Sequence, residues 1–419
     1  MVRSAQMTGD SFGSLQINTR TLTGGKAIPG TRVRITYTGE PDRVIEELVT
    51  DASGQTEAIS LPAPPVGYSM EPSANQPYSE YDINVSAEGY ESVQVDGIEI
   101  LAGERSIQNV NMIPRSEDAS SAELYVIGPH TLFGMYPPKI LESEIKPVDD
   151  RGEIVLSRVV IPEYVVVHDG PPGDNSATDY YVPYKDYIKN VASSEIYATW
   201  PEETIIANVL AIQSFTLNRV FTEWYRNKGY DFTITSSTAY DHKWIPGRNI
   251  FESISRVVDN VFTNYLSRPN VIQPILTQYC DGKRVQCPGV MSQWGSKYLG
   301  DDGYSAIGIL QNYYGSSIFI NSSEIISGIP SSWPGSNLEI GVTSEKVRQL
   351  QQQLNVIANG YPLIPKIAED GIYGPGTAEA VRIFQGIFGL PQSGITDFPT
   401  WYKISEIYVG VSRIAEYTT

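Results

Sequence analysis

The sequence predicts a multidomain α+β protein: an N-terminal β-sandwich, a central α+β unit and a C-terminal three-helix unit. Three observations predict it. Residues 13–113 alternate apolar and polar side chains in short runs broken by turn residues, as strands buried on one face do. Residues 187–226 carry apolar residues at helical spacing. Beyond a break rich in Pro and Ser at 330–335, three helical patterns follow to about residue 412.

The first unit, 1–114, rests on the alternations Leu15-Ile17-Thr19, Val33-Ile35-Tyr37 and Ile83-Val85-Ala87, with turns at Ile28-Pro29-Gly30, Ser53-Gly54 and Glu88-Gly89-Tyr90. Residues 115–158 read as a linker: 114–125 is small and polar, and extended segments through Asp149-Asp150-Arg151-Gly152 join two domains. The central unit, 159–328, opens on a buried strand at 159–168 and a loop at 169–179 rich in Gly, Pro, Asp and Asn. A helix on Ile188, Val191 and Ala192 follows. Thr199 and Glu202 then make a capping box, with Pro201 at the first position of a long helix running to about Arg226. Further helices are predicted at about 249–266 and 305–314. In the last unit, 336–412, Ser344 caps a helix on Val347, Leu350, Leu354 and Ile357. The loop 370–377 precedes a helix on Ala380, Val381, Phe384 and Phe388, closed by Gly389. A third helix carries Trp401, Ile404 and Ile407.

Composition narrows the function. The net charge of -18 over 419 residues argues against a nucleic-acid partner. It also means that a glycan would have to be held by hydrogen bonds and stacking, for which 27 Tyr are available. No apolar run is long enough to span a bilayer, and the amino terminus has no apolar core of a conventional signal peptide. With two cysteines, a disulfide-rich scaffold is excluded. The spacing of Cys280 and Cys287 permits a local disulfide, a pair of thiols or half of a metal site. No metal or other cofactor is expected.

The helix before Pro201 carries the chemistry. Ile188, Val191 and Ala192 stand at i, i+3 and i+4, and Glu195 follows at i+7 on the same stripe. A carboxyl on an apolar face is drawn out of water, and desolvation favours its protonated form. That is what a general acid requires. Its rivals Glu202 and Glu203 lie in the first turn of a helix, where dipole and solvent favour the anion. Asp241 is the candidate for a second acid, or else a turn residue. Gln213, Ser292 and Gln293 are candidates to hydrogen-bond sugar hydroxyls or acetamides. Tyr197 and Trp294 are candidates to stack on a ring, or else core.

Three resemblances bear on these residues. Ile28-Pro29-Gly30-Thr31-Arg32-Val33, Thr50-Asp51-Ala52-Ser53-Gly54 and Ala87-Glu88-Gly89-Tyr90 resemble the transthyretin-like, carboxypeptidase-regulatory-like sandwich. Leu350-Gln351, Asp370-Gly371, Tyr373-Gly374, Thr377, Phe384-Gln385 and Thr400-Trp401 resemble the peptidoglycan-binding domain of cell-wall hydrolases. That likeness implies a binding groove beside Asp370, Tyr373 and Thr377. Tyr187 through Glu203, Thr238-Ala239-Tyr240-Asp241, Met291-Ser292-Gln293-Trp294-Gly295 and Ile309 through Gly315 resemble stage II sporulation protein D, a peptidoglycan lytic transglycosylase. Glu195 falls on that family's catalytic acid. The chain departs from the family at Gln213, His242 and Gln286-Cys287-Pro288-Gly289-Val290.

All three units in order resemble the clostridial spore cortex-lytic enzymes, on Ile161-Pro162-Glu163-Tyr164, Val167-His168-Asp169-Gly170, Thr222 through Arg226 and Tyr279-Cys280-Asp281-Gly282. The resemblance implies a zymogen deposited in the cortex and coat region of the spore from the mother cell. Its N-terminal pro-region would be removed by a germination protease near Val160, and the mature enzyme would cleave cortex peptidoglycan. The competing expectations are a non-catalytic wall-binding scaffold and a two-carboxylate muramidase using Glu195 and Asp241.

Overall fold

The computed structural model describes residues 11–22, 25–115, 122–146, 158–327 and 333–417. The amino terminus, the break at 330–332 and parts of the expected linker, Asp149–Gly152 among them, lie outside the described residues.

The first unit is two facing sheets. In one, Ser11–Thr21 lies between Ile59–Ala63, antiparallel, and Arg105–Met112, parallel. In the other, Glu40–Val49, Arg32–Tyr37, Ser79–Ser86 and Val93–Ile100 run antiparallel in that order. Alternation along each strand turns Leu15, Ile17, Val33, Ile35, Ile83, Val85 and Val95 inward, each at most 1% exposed. Burial of this kind stabilises by roughly 1.5–3 kcal/mol per large side chain.

Both sheets are completed by chain from beyond residue 114. Glu123–Val126 adds a parallel strand beside Val93–Ile100. Ile250–Phe251 of the central unit adds one beside Arg105–Met112, with Ile250 opposite Ile107. Ile245 enters the sandwich core itself. An uncovered edge exposes unpaired N–H and C=O groups, and these additions cover two of them.

The described part of the expected linker, 122–146, is therefore packed into the fold. After its strand, it continues across the central unit to Lys146, burying His130 and Leu132. Its polar composition conceals this, because most of its anchoring is through backbone atoms and single side chains rather than an apolar period.

In the central unit, Tyr164–His168 pairs antiparallel with Asp179–Pro183 and parallel with Ile234–Thr235. Helix Tyr184–Glu195 leads by a short turn into helix Glu202–Phe221, which is buried around most of its circumference. Helices Glu252–Val261, Gln293–Asp301 and Ala306–Tyr314 surround it. The capping box does not form: Pro201 is the N-cap, and the Thr199 hydroxyl lies 2.8 Å from that of Ser69 in the sandwich. The long helix stops at Phe221, short of Arg226, and the following turn is closed by Gly229 at φ 85°. The helix expected at 249–266 is confined to Glu252–Val261, because its flanks are drawn into strands at 250–251 and Asn264–Ser267.

The third unit has helices Glu345–Ile357, Pro375–Ile387 and Phe398–Tyr417. Ser344 caps the first, its Oγ accepting from the Val347 N–H at 3.2 Å. Val347, Leu350, Leu354, Ala380, Val381, Phe384, Trp401 and Ile404 are fully buried. The unit docks on the central one through Phe262, which packs against Phe398 and Tyr402. Beside these rings lies a buried charge cluster. Lys189 reaches Asp259 at 2.7 Å, Lys185 reaches Glu406 at 2.6 Å, and Lys403 reaches Glu406 at 3.0 Å. No helix among the described residues is long and apolar enough to cross a membrane.

Candidate functional site

Glu195 is the last residue of its helix, and it is 4% exposed. Ile188, Val191 and Ala192 of the same stripe are fully buried, as their spacing predicts. The carboxylate is not alone. Its Oε1 accepts from the Lys243 backbone N–H at 2.8 Å. Its Oε2 accepts from the Gln293 amide at 3.1 Å and from the Thr131 hydroxyl at 3.2 Å. Gln293 also donates to the Glu195 carbonyl at 2.9 Å, which fixes the helix end against the start of helix Gln293–Asp301.

A pocket of about 110 Å³ opens beside this carboxylate. One side is Thr131, Gly134, Met135, Tyr136, Pro137 and Lys139, all from the segment between sandwich and central unit. The other includes Tyr279, Cys280, Asp281 and Arg284. No described residue of the sandwich sheets lines it.

Lys139 is half-buried against the Phe215 and Tyr279 rings, at 5.4 and 4.9 Å, and donates to the Asp241 backbone carbonyl. Burial lowers its ammonium below the ordinary lysine value, against the pull of Glu195 and Asp241. His242 stacks on Tyr279 with ring centres 5.7 Å apart, and its Nδ1 is 3.0 Å from the Tyr187 hydroxyl. Burial, with Lys139 and Arg219 nearby, holds its imidazole well below the ordinary value and so neutral.

Cys280 and Cys287 form a disulfide. The loop it closes is shaped by Asp281, whose Oδ1 accepts from the N–H groups of Lys283, Arg284 and Val285. From this loop the Arg284 guanidinium donates to the carbonyls of Leu132 at 2.6 Å and Gly134 at 2.5 Å. It clamps the covering segment over Glu195.

Of the residues predicted to contact substrate, Gln293 alone joins Glu195 at the pocket. Asp241 is a fully buried anchor: Arg219 Nε, the Tyr225 hydroxyl and the N–H and hydroxyl of Thr235 reach it at 2.7–2.9 Å. It does not line the pocket; among the described residues Asp281 is the carboxylate that joins Glu195 there. Gln213 donates to the Val261 carbonyl inside the core. Ser292 caps a helix, its Oγ accepting from the Gly295 N–H at 2.9 Å. Tyr197 and Trp294 are each 2% exposed and pack within an aromatic core, Tyr197 stacked on His130 at 4.4 Å.

Sequence reasoning missed Thr131, Lys139 and the Lys243 N–H. The first two lie in a segment without periodicity, and a backbone donor leaves no trace in side-chain identity. Tyr279 is legible only as part of the Tyr279–Gly282 marker.

In the third unit, the three predicted binding residues brace the fold. Asp370 accepts from the Gln351 amide at 3.0 Å, and so does the Thr377 hydroxyl at 3.1 Å. The Tyr373 hydroxyl, fully buried, donates to the Gly394 carbonyl at 2.9 Å.

Residues 343–404 match the family of putative peptidoglycan binding domains, so the protein carries a peptidoglycan-binding domain. Comparison with curated proteins gave no match. Among solved structures, the TIE protein of Bacillus anthracis is 15% identical over 25% of this chain and 17% of that one, with TM-score 0.18. A point mutant of Acinetobacter radioresistens catechol 1,2 dioxygenase is 15% identical over 27% and 56%, with TM-score 0.19. Klebsiella pneumoniae 5-hydroxyisourate hydrolase is 15% identical over 25% and 92%, with TM-score 0.17. The chain spans 17% and 56% of the first two of these proteins, and at such TM-scores the likeness carries no inference about this chain.

Proposed function

We propose that the protein is a peptidoglycan lytic transglycosylase of the spore cortex, held silent until germination and freed by proteolysis. The carrying observation is the Glu195 carboxylate, buried, oriented by Lys243 and Gln293, and facing a pocket in a chain with a peptidoglycan-binding domain. A lytic transglycosylase needs one such group. Glu195 protonates the oxygen between N-acetylmuramic acid and N-acetylglucosamine, then as carboxylate takes the proton of the muramic acid's own C6 hydroxyl. A 1,6-anhydro ring closes and no water attacks.

The silent state has its own support. A volume of about 110 Å³ is well under the roughly 300–1,000 Å³ of ordinary ligand pockets. The covering segment 131–139 forms one side of the pocket, and the Thr131 hydroxyl, 2.9 Å from the Ser194 carbonyl, stands 3.2 Å from Glu195 Oε2. The inhibitory element in this reading is that segment rather than the sandwich, and it lies on the amino-terminal side of the cut expected near Val160.

Asp281 beside Glu195 favours a second reading, a two-carboxylate muramidase. One experiment separates them. Purified cortex is digested with the chain before and after protease cleavage near Val160, and the muropeptides are weighed. Products one water lighter than hydrolytic ones, appearing after cleavage, support the transglycosylase. Incorporation of heavy-oxygen water into new reducing ends supports the muramidase. No glycan cleavage in either state would leave a wall-binding scaffold.

A further inference from the structure

A second groove, of about 360 Å³, lies where all three units meet, and it shares no lining residue with the Glu195 pocket. Its floor is the outward face of strands Ser11–Thr21 and Arg105–Met112. Alternation turns Leu15, Ile17, Val110 and Met112 to the core and leaves polar side chains outside. The parallel register sets Asn18 opposite Asn109 and Arg20 opposite Asn111. One wall is Tyr180 and Trp244 of the central unit, with ring centres 5.1 Å apart. The other is Gly386, Ile387 and Phe388 of the peptidoglycan-binding domain.

The hydrogen-bonding capacity here exceeds what the protein uses. Asn18 donates to Asn109 at 3.1 Å, while its own side-chain oxygen and the indole N–H of Trp244 have no partner. The charges are mostly matched: Arg105 with Glu252, Lys189 with Asp259, Lys403 with Glu406, Arg248 with Glu99. Among the described residues Arg20 has no carboxylate partner; its guanidinium lies 5.4 Å from the Phe388 ring centre. Among the described residues Asp186 of the lining likewise has no ion pair; the unpaired cation Arg20 at one end of an amide ladder, between aromatic walls, suits a short peptide with amide groups and a free carboxylate. A bare glycan of N-acetylglucosamine offers no carboxylate.

We propose that this groove binds the acidic stem peptide of peptidoglycan, through Arg20 and the Asn18-Asn109-Asn111 ladder, apart from the site that cleaves glycan. The source of the peptide rests on the peptidoglycan reading above, not on catalysis.

The test uses the full chain as Glu195→Gln, so that binding is read without turnover. It is titrated calorimetrically with N-acetylmuramyl-L-alanyl-D-glutamate, with the same compound amidated at both carboxylates, and with tri-N-acetylchitotriose. Arg20→Gln is expected to weaken the acidic peptide about tenfold, the scale of one charge-assisted hydrogen bond, with an unchanged melting temperature. Asn109→Ala with Asn111→Ala should weaken it similarly. The amidated compound should bind the parent chain no better than the acid binds Arg20→Gln. Absence of binding, binding indifferent to both variants, or full competition by tri-N-acetylchitotriose would overturn the proposal. Because the titration uses an inactive chain, failure of the wild type to cleave glycan leaves its outcome readable.

Discussion

Arg248 of the central unit and Glu99 of the sandwich form an ion pair at 2.7 Å, with side chains 0% and 1% exposed. Burial pushes the Glu99 carboxyl up, and Arg248 opposes that push. Around the pair, Asn249 exchanges hydrogen bonds with the Glu99 backbone at 3.1 and 3.0 Å, and Arg248 also reaches the Ser193 carbonyl at 2.5 Å. The two units share an interior. A chain nicked within 115–158 should therefore elute as one particle, sandwich still attached. Glu99→Gln should cost about 3–5 kcal/mol in denaturant unfolding, because it strands a buried guanidinium. Free release of the sandwich after nicking would contradict this.

The Asp259 cluster makes the same argument for the third unit. Burial raises the Asp259 carboxyl, but Lys189 and Lys185 outweigh it and hold it below the ordinary value. A depressed acid contributes stability that is present above its unfolded value and lost as pH falls through its folded value. Asp259→Asn should cost about 3–5 kcal/mol at pH 7 by urea unfolding. The difference should shrink on acidification below the ordinary aspartate range. A penalty independent of pH would show that packing, not charge, is responsible.

Glu80 has the opposite sign. It stands directly across from Glu99 in the sheet, and burial, with Glu99 adding, pushes it up to about 7. A raised acid binds its proton more tightly when folded, so stability falls as pH rises from the ordinary glutamate value through 7. Glu80→Gln should change the melting temperature little at pH 5 and raise it at pH 8. Equal shifts at both pH values would rule out the charge as the cause.

If Glu195 is the acid, Glu195→Gln should lower glycan cleavage by the activated chain at least about a hundredfold, while fold and adsorption to peptidoglycan persist. Asp281→Asn should cost far less under the single-acid mechanism. Comparable losses from both would move the assignment to two carboxylates.

Arg284→Ala should loosen the covering segment, since its guanidinium holds the Leu132 and Gly134 carbonyls. The uncut chain should then gain measurable cleavage, with little change in the activated form. No gain in the uncut chain would argue that segment 131–139 does not restrain the site.

The fold is largely legible where periodicity operates. The sandwich strands, the helix ending at Glu195 and the three-helix unit all follow from side-chain spacing. What escapes is decided by tertiary partners. The local pattern permits Thr199 as a cap, yet its hydroxyl is taken by Ser69, 130 residues away. Asp241 has the sequence of a free turn acid, but Arg219, Tyr225 and Thr235 converge on it from three elements. Glu195 stands out because a charge on an apolar stripe violates the local rule. The Lys243 N–H that orients it belongs to no pattern at all.

The strand at Ile250–Phe251 also sets an order of events at the ribosome. The sandwich sheet that ends at Met112 waits for its last strand until roughly 140 residues later, about 7–30 s at ordinary synthesis rates of 5–20 residues per second. During that interval Arg105–Met112 is an open edge and Glu99 has no counter-ion from Arg248. The amino-terminal half keeps that edge and that acid unpartnered until then. Its assembly is coupled to emergence of the central unit, and a chain stalled before residue 251 is the form most exposed to sheet-edge aggregation.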